Sequence, residues 1–186
     1  MSKSFDIQCE KAVRILAQYM PPSDETSRKP IMFHDIRVGM YLYNRGYSED
    51  IVLAGILHDM IEWSSLDEQV LRNEFGDNVT RLVLASTKDE TITDKNEKLR
   101  ELIERCIRNG QDALIVKTAD IIDSFKWYSR QKNEKELQGH CVKNAKAILE
   151  AKPEEWNDAL FDELRMWKEQ CENKFYEKLE KKKRLI

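Results

Sequence analysis

Glycine and proline are scarce in this chain of 186 residues, six and four respectively. With so few turn-formers and little apolar–polar alternation, a sheet-rich architecture is disfavoured and helix is expected throughout. Its four cysteines, Cys9, Cys106, Cys141 and Cys171, stand far apart and form no CxxC pair. That argues against a disulfide framework or a cysteine zinc site, and reduced thiols fit a cytoplasmic protein. No long hydrophobic run occurs either. The longest, Ile51 to Leu57, is far shorter than the roughly 20 residues a membrane span requires. The polar start, Met1 to Asp6, lacks a signal-peptide core. Charge of one sign is also lacking: a formal net charge of −3 gives no long-range pull on nucleic acid, so any anion site must be local.

What remains reads as an all-α, single-domain protein over residues 1–186, with no internal repeat. Phe5 to Tyr19 carries Ile7, Ala12, Ile15, Leu16 and Tyr19 at helical spacing, and Pro21-Pro22 ends it. A second helix is predicted over Met32 to Asn44, closed by Arg45-Gly46. Ser48 should cap a third that runs to about Glu62. Leu66 to Phe75 and Asn78 to Ser86 follow, split at Gly76, then Asp94 to Arg108, Ala113 to Ser129 and Glu134 to Leu149. A long final helix, Glu154 to Leu179, aligns Trp156, Leu160, Leu164, Trp167, Cys171, Phe175 and Leu179. That stripe is expected to pack on the body or on a second copy as a homodimer. The basic Lys181 to Arg184 tail reads as a hydrated helix end.

The chemistry-bearing residues are few and ordered. Only three histidines occur. His58-Asp59 closes the longest apolar run, His34 lies on the preceding helix, and Asp120 ends Val116-Lys117-Thr118-Ala119-Asp120. An imidazole and a carboxylate at the end of a buried segment are costly to desolvate unless something compensates them. A divalent metal accepts neutral imidazole nitrogen and carboxylate oxygen together. His34, His58, Asp59 and Asp120 are therefore the candidate ligands of one divalent ion, Mn first, with Fe, Zn, Ni or Co as alternatives. His140 lies outside this order and reads as a surface residue.

In this order the residues resemble the HD-domain metal-dependent phosphohydrolase superfamily. His58-Asp59-Met60-Ile61-Glu62, Phe75-Gly76-Asp77-Asn78-Val79, Thr87-Lys88-Asp89-Glu90 and Val116-Lys117-Thr118-Ala119-Asp120 resemble most closely its RelA/SpoT/Mesh1-type guanosine tetraphosphate hydrolase branch. The likeness covers about residues 30–125. It implies an HD-type helical bundle; the helices of about 134–182 are expected to pack on that core, the long last one lying outside the likeness and placed by its apolar stripe. It implies Glu62 as the catalytic carboxylate that positions or deprotonates water. Three features depart from the branch: Trp63 stands where a second carboxylate is usual, Ser124 where an asparagine is common, and the basic cluster usual well before the first histidine is missing, Arg28-Lys29 lying too close to His34 to match it.

The activity implied is metal-dependent hydrolysis of a nucleotide phosphate ester or pyrophosphate, with a guanosine 3′-pyrophosphate as the favoured bond. A metal suits this reaction because it acidifies water and offsets charge on a phosphoryl oxygen. Lys88 and Lys117 are candidates for phosphate contacts, with Lys126 and Arg130 behind them. Trp63 offers an indole face for a base. Two other functions fit the same residues: a nucleoside monophosphate phosphatase, and a regulatory protein that binds metal and nucleotide without turnover. The expected partner is a small nucleotide, with no membrane and no nucleic acid.

Overall fold

The computed structural model describes residues 2–183, with the side chains of Leu179 and Lys182 excepted. Arg184 and those two side chains, and with them parts of the expected tail and stripe, lie outside the described residues. The chain divides into two compact units, residues 1–120 and 121–186. Every described regular element is helical.

The first unit is built around its most apolar segment. Helix α3 (Glu49–Leu57) buries all seven residues from Ile51 to Leu57. It does so because α1 (Lys3–Tyr19), α2 (Ile31–Asn44) and α5 (Glu68–Ser86) pack around it. Each large aliphatic side chain buried this way contributes on the order of 1.5–3 kcal/mol. In α1, Phe5, Ala12 and Leu16 face inward, while Ile7 is exposed. The approach of α2 to α3 is close. A Cβ on Gly55 would lie 3.3 Å from the Cα of Gly39, and one on Gly39 would lie 2.1 Å from Cγ1 of Ile56. These two glycines are there for their lack of a side chain.

The third helix does not run unbroken to Glu62 as expected. It stops at Leu57, His58 and Asp59 form a turn, and α4 (Met60–Trp63) resumes for one turn. Asp59 at φ −94°, ψ −4° sits off the helical well, which re-aims its carboxylate relative to a continuous helix. Ser48 begins α3 by backbone conformation, without a side-chain cap. Gly76, with φ 84° and ψ 174°, kinks α5 where a split was expected. Asp94 caps α6 (Lys95–Arg108) by accepting from the amides of Asn96 and Glu97. Helix α7 (Gln111–Arg130) follows and carries Asp120.

In the second unit α8 (Glu134–Glu136) widens into a π-helical stretch, Leu137–Val142, and continues as α9 (Lys143–Ala151). The final helix, α10 (Ala159–Lys183), starts five residues later than Glu154. Pro153 removes an amide donor, and Asp158 supplies the cap instead, accepting from Leu160 N at 2.8 Å. Trp156 thus precedes the helix. Leu160 and Leu164 are buried, Trp167 stacks on Phe125 at 6.1 Å, and Phe175 is 37% exposed. α10 packs on α9 and on the π-helical stretch. No described helix is long and apolar enough to cross a membrane.

Candidate metal centre

Three elements bring the predicted residues together. α2 carries His34, the turn after α3 carries His58 and Asp59, and α7 carries Asp120. The Nε2 of His34 lies 3.0 Å from Oδ1 of Asp120. The two imidazoles meet edge to face, with centroids 5.3 Å apart. On His58, Nδ1 donates to the carbonyl of Gly55 at 2.9 Å. That bond fixes the tautomer, so Nε2 carries the lone pair.

Nε2 of His58 has no hydrogen-bond partner among the described residues, although the residue is only 2% exposed. It lies 3.7 Å from Oδ1 of Asp59 and 4.0 Å from Oδ1 of Asp120. Two ligand atoms on one ion, each at about 2.0–2.2 Å, are at most about 4.4 Å apart. All three separations, 3.0, 3.7 and 4.0 Å, satisfy that limit. A buried lone pair facing two carboxylates and a second imidazole fits a divalent ion with mixed N/O ligands.

The electrostatics favour the ligating protonation states. Burial drives His58 below the ordinary imidazole range, against the pull of Asp59 and Asp120, which keeps the ring neutral. Burial would raise Asp59, but His58 and Lys29 outweigh it and hold the carboxyl below its usual range. For Asp120 burial again opposes ionisation. The ammonium of Lys117, then Lys29 and His34, hold it well below the usual carboxylate range. Lys117 Nζ sits 2.7 Å from Asp120 Oδ2, and Lys29 Nζ lies 3.6 Å from Oδ1. Burial pulls Lys117 down, but Asp120 prevails and raises it.

The remaining predicted residues divide by position. Glu62, nearly buried on α4, pairs with Lys88, Oε1 to Nζ at 2.5 Å, and accepts from the Lys88 amide at 3.3 Å. Lys88 is therefore held by a carboxylate, and Lys117 by Asp120. Trp63 is 46% exposed. Lys126 pairs with Glu163 at 3.1 Å in the second unit, where Arg130 is exposed. His140 is half-buried rather than superficial, its ring edge-on to Tyr128 at 6.4 Å.

Two residues of the cluster were not anticipated. Lys29 is buried beside Asp120; in the sequence Arg28-Lys29 is set aside because it lies so close to His34, and no place at the centre is expected for it. Asp35 is fully buried on α2, and ligand atoms of His34, Asp35, His58 and Asp59 lie within 4.8 Å of one another. The signal for Asp35 was present, because His-Asp occurs twice, at His34-Asp35 and at His58-Asp59.

Known proteins share this arrangement of sequence. The guanosine-3′,5′-bis(diphosphate) 3′-pyrophosphohydrolase of Aquifex aeolicus (strain VF5) is 23% identical over 159 residues, 74% of this chain and 23% of its own length. The zebrafish (Danio rerio) protein of the same activity, MESH1, is 31% identical over 93 residues, 49% of this chain and 51% of that protein. This chain thus spans about half the length or less of these curated relatives. A solved structure of a metazoan ortholog of SpoT, described as hydrolysing ppGpp, matches with a TM-score of 0.69 at 21% identity. That match covers 91% of this chain and 96% of the other, and at such identity it establishes a common fold. The HD domain family model matches residues 12–143. With His34, His58, Asp59 and Asp120 all inside that span, the chain belongs to the HD domain family.

Proposed function

We propose that the protein is a metal-dependent phosphohydrolase that cleaves a nucleotide phosphate ester or pyrophosphate, with a guanosine 3′-diphosphate as the favoured substrate. The observation that carries the reading is the buried, unbonded Nε2 of His58 facing Asp59 and Asp120. The named activities of the Aquifex and zebrafish relatives support the substrate. His34, His58, Asp59 and Asp120 would hold one divalent ion, and Mn suits a set of two imidazoles and two carboxylates. When bound, the ion supplies Lewis acidity: it makes a water more acidic and offsets phosphoryl charge.

The chain's own residues do the rest. Gly55 holds His58 in the ligating tautomer through its carbonyl. Lys117 and Lys29 keep Asp120 ionised and add positive charge where a phosphoryl group would lie. Glu62 takes a proton from the attacking water at a carboxylate oxygen, and Lys88 holds that carboxylate in place until phosphate competes for its ammonium. Trp63, exposed beside Glu62, stacks on the base. Because the family model crosses the boundary between the two units, we also take the chain to act as a single HD domain. Three unpaired thiols, Cys9, Cys106 and Cys171, support a cytoplasmic setting.

The test is a nucleotide panel with Mn2+ added. Pyrophosphate release from guanosine 3′-diphosphates should exceed phosphate release from monophosphates. The reverse ranking would make it a nucleotidase, and no release from either would make it a binding protein. Trp63→Ala should raise KM for nucleotides roughly 5- to 150-fold, matching a lost stacking contact of about 1–3 kcal/mol, with small phosphate esters unaffected.

A further inference from the structure

We propose that Asp35 is a positioning residue of this centre: a carboxylate behind His58 that keeps the Nε2 of that ring turned, as a bare lone pair, toward Asp59 and Asp120. The inference rests on the metal reading above. Asp35 Oδ1 lies 3.8 Å from His58 Nδ1, whereas Nε2 is the nitrogen near Asp59 and Asp120. The two nitrogens of an imidazole point apart, so Asp35 flanks the Nδ1 edge of the ring, although it also offers a ligand atom within 4.8 Å of those of His34 and Asp59. On this proposal Asp35 acts through His58, and direct ligation is the alternative that the experiment below separates from it.

The Nδ1 proton is already donated to Gly55 O at 2.9 Å. A carboxylate 3.8 Å from that nitrogen polarises the N–H, disfavours the other tautomer and makes Nε2 the better donor. The residue type argues the same way. α2 is buried at Asp35, Val38 and Leu42, where an apolar side chain would pack at no desolvation cost, and a fully buried carboxylate is kept against that cost. The repeated His-Asp pair therefore divides its labour. His58-Asp59 supplies two ligands, while His34-Asp35 supplies one ligand and the support of another.

Metal affinity tests this without recourse to turnover. Mn2+ and Co2+ dissociation constants would be measured by chelator competition for wild type, Asp35→Asn and Asp35→Glu, with Asp59→Ala alongside. Asp35→Asn should bind one ion about 10- to 100-fold more weakly, with a shifted Co2+ absorption band, and Asp35→Glu should recover part of the loss. In metal-free protein, 15N NMR should find His58 wholly as the Nδ1–H tautomer in wild type and a second tautomer in Asp35→Asn. Unchanged affinity in Asp35→Asn, with an equal fall in Tm for metal-free and loaded protein, would reduce Asp35 to packing. Loss of the ion as complete as in Asp59→Ala would make it a direct ligand. Either result overturns the proposal. Wild type that binds no metal would overturn the reading of the centre; Asp35 is then judged by the tautomer, and a fixed tautomer in both proteins overturns it.

Discussion

The two units of this protein use polar side chains in opposite ways. In residues 1–120 charged groups are drawn inward: Lys29, His34, Asp35, His58, Lys117 and Asp120 are all buried. In residues 121–186 the described charged side chains, the buried Asp123 apart, stay toward the surface, as in the helical pairs Arg165–Asp162, Lys146–Glu150 and Lys183–Glu180. Exposed pairs of this kind contribute little to stability, because water and salt screen them. Buried charges are different, since each must be compensated or it destabilises the fold. The difference locates the chemistry: a chain tolerates a buried charge cluster where it has a use for it.

The sharpest way to break the comparison is at His58. His58→Ala should abolish metal binding and hydrolysis together, read by metal analysis of the purified protein and by phosphate release. Its metal-dependent gain in Tm should vanish too, because only a ligand bound by the folded state stabilises it. Full metal content in the variant would end the metal reading.

Next in size is Lys117→Met, which removes one partner from a buried pair at 2.7 Å and should destabilise by roughly 3–5 kcal/mol in a denaturant titration. Lys117→Met with Asp120→Asn should cost less than the two single losses added, because the double change removes both charges of the pair together. The same pair sets a pH signature in metal-free protein. Asp120 is depressed in the fold, so its stabilisation is present above the usual carboxylate range and lost as pH falls through its folded value. Lys117 is raised, so its share is present below the usual lysine range and lost only at high pH. Stability from this pair should therefore form a plateau from roughly pH 4 to 10, set by those reference values, with wild type steeper than the double variant on the acid side.

In the second unit the comparable loss comes from packing. Leu164 is fully buried, and Leu164→Ala should cost roughly 2–5 kcal/mol. All the candidate ligands lie in residues 1–120, so metal bound per folded molecule should not change. The smallest effect sharpens the contrast: Arg165→Ala removes an exposed pair with Asp162 and should leave Tm and metal content at wild-type values. A clear drop in Tm would mean that the surface charges of α10 do more than stay hydrated.

The sequence by itself determined the helical class, most helix limits and the outline of the centre. Scarce glycine and proline leave helix little competition. A His-Asp pair at the end of an apolar run is hard to explain without a ligand, and Asp120 follows in a matching motif. Local chemistry also revealed the kink at Gly76 and the cap at Asp94, since both depend on neighbours along the chain. Only the tertiary structure decided the rest. The turn at His58-Asp59 interrupts a segment whose residue pattern reads as continuous helix, and no local signal marks it. Asp35, Lys29 and the Lys117–Asp120 pair acquire meaning from groups far away in sequence: Lys29 is a loop lysine until α7 brings Asp120 to it. Gly39 and Gly55 look like weak points in two helices until α2 and α3 are seen to touch there. Burial and pairing are properties of the packed chain, and periodicity along one helix cannot specify which distant side chain will lie opposite.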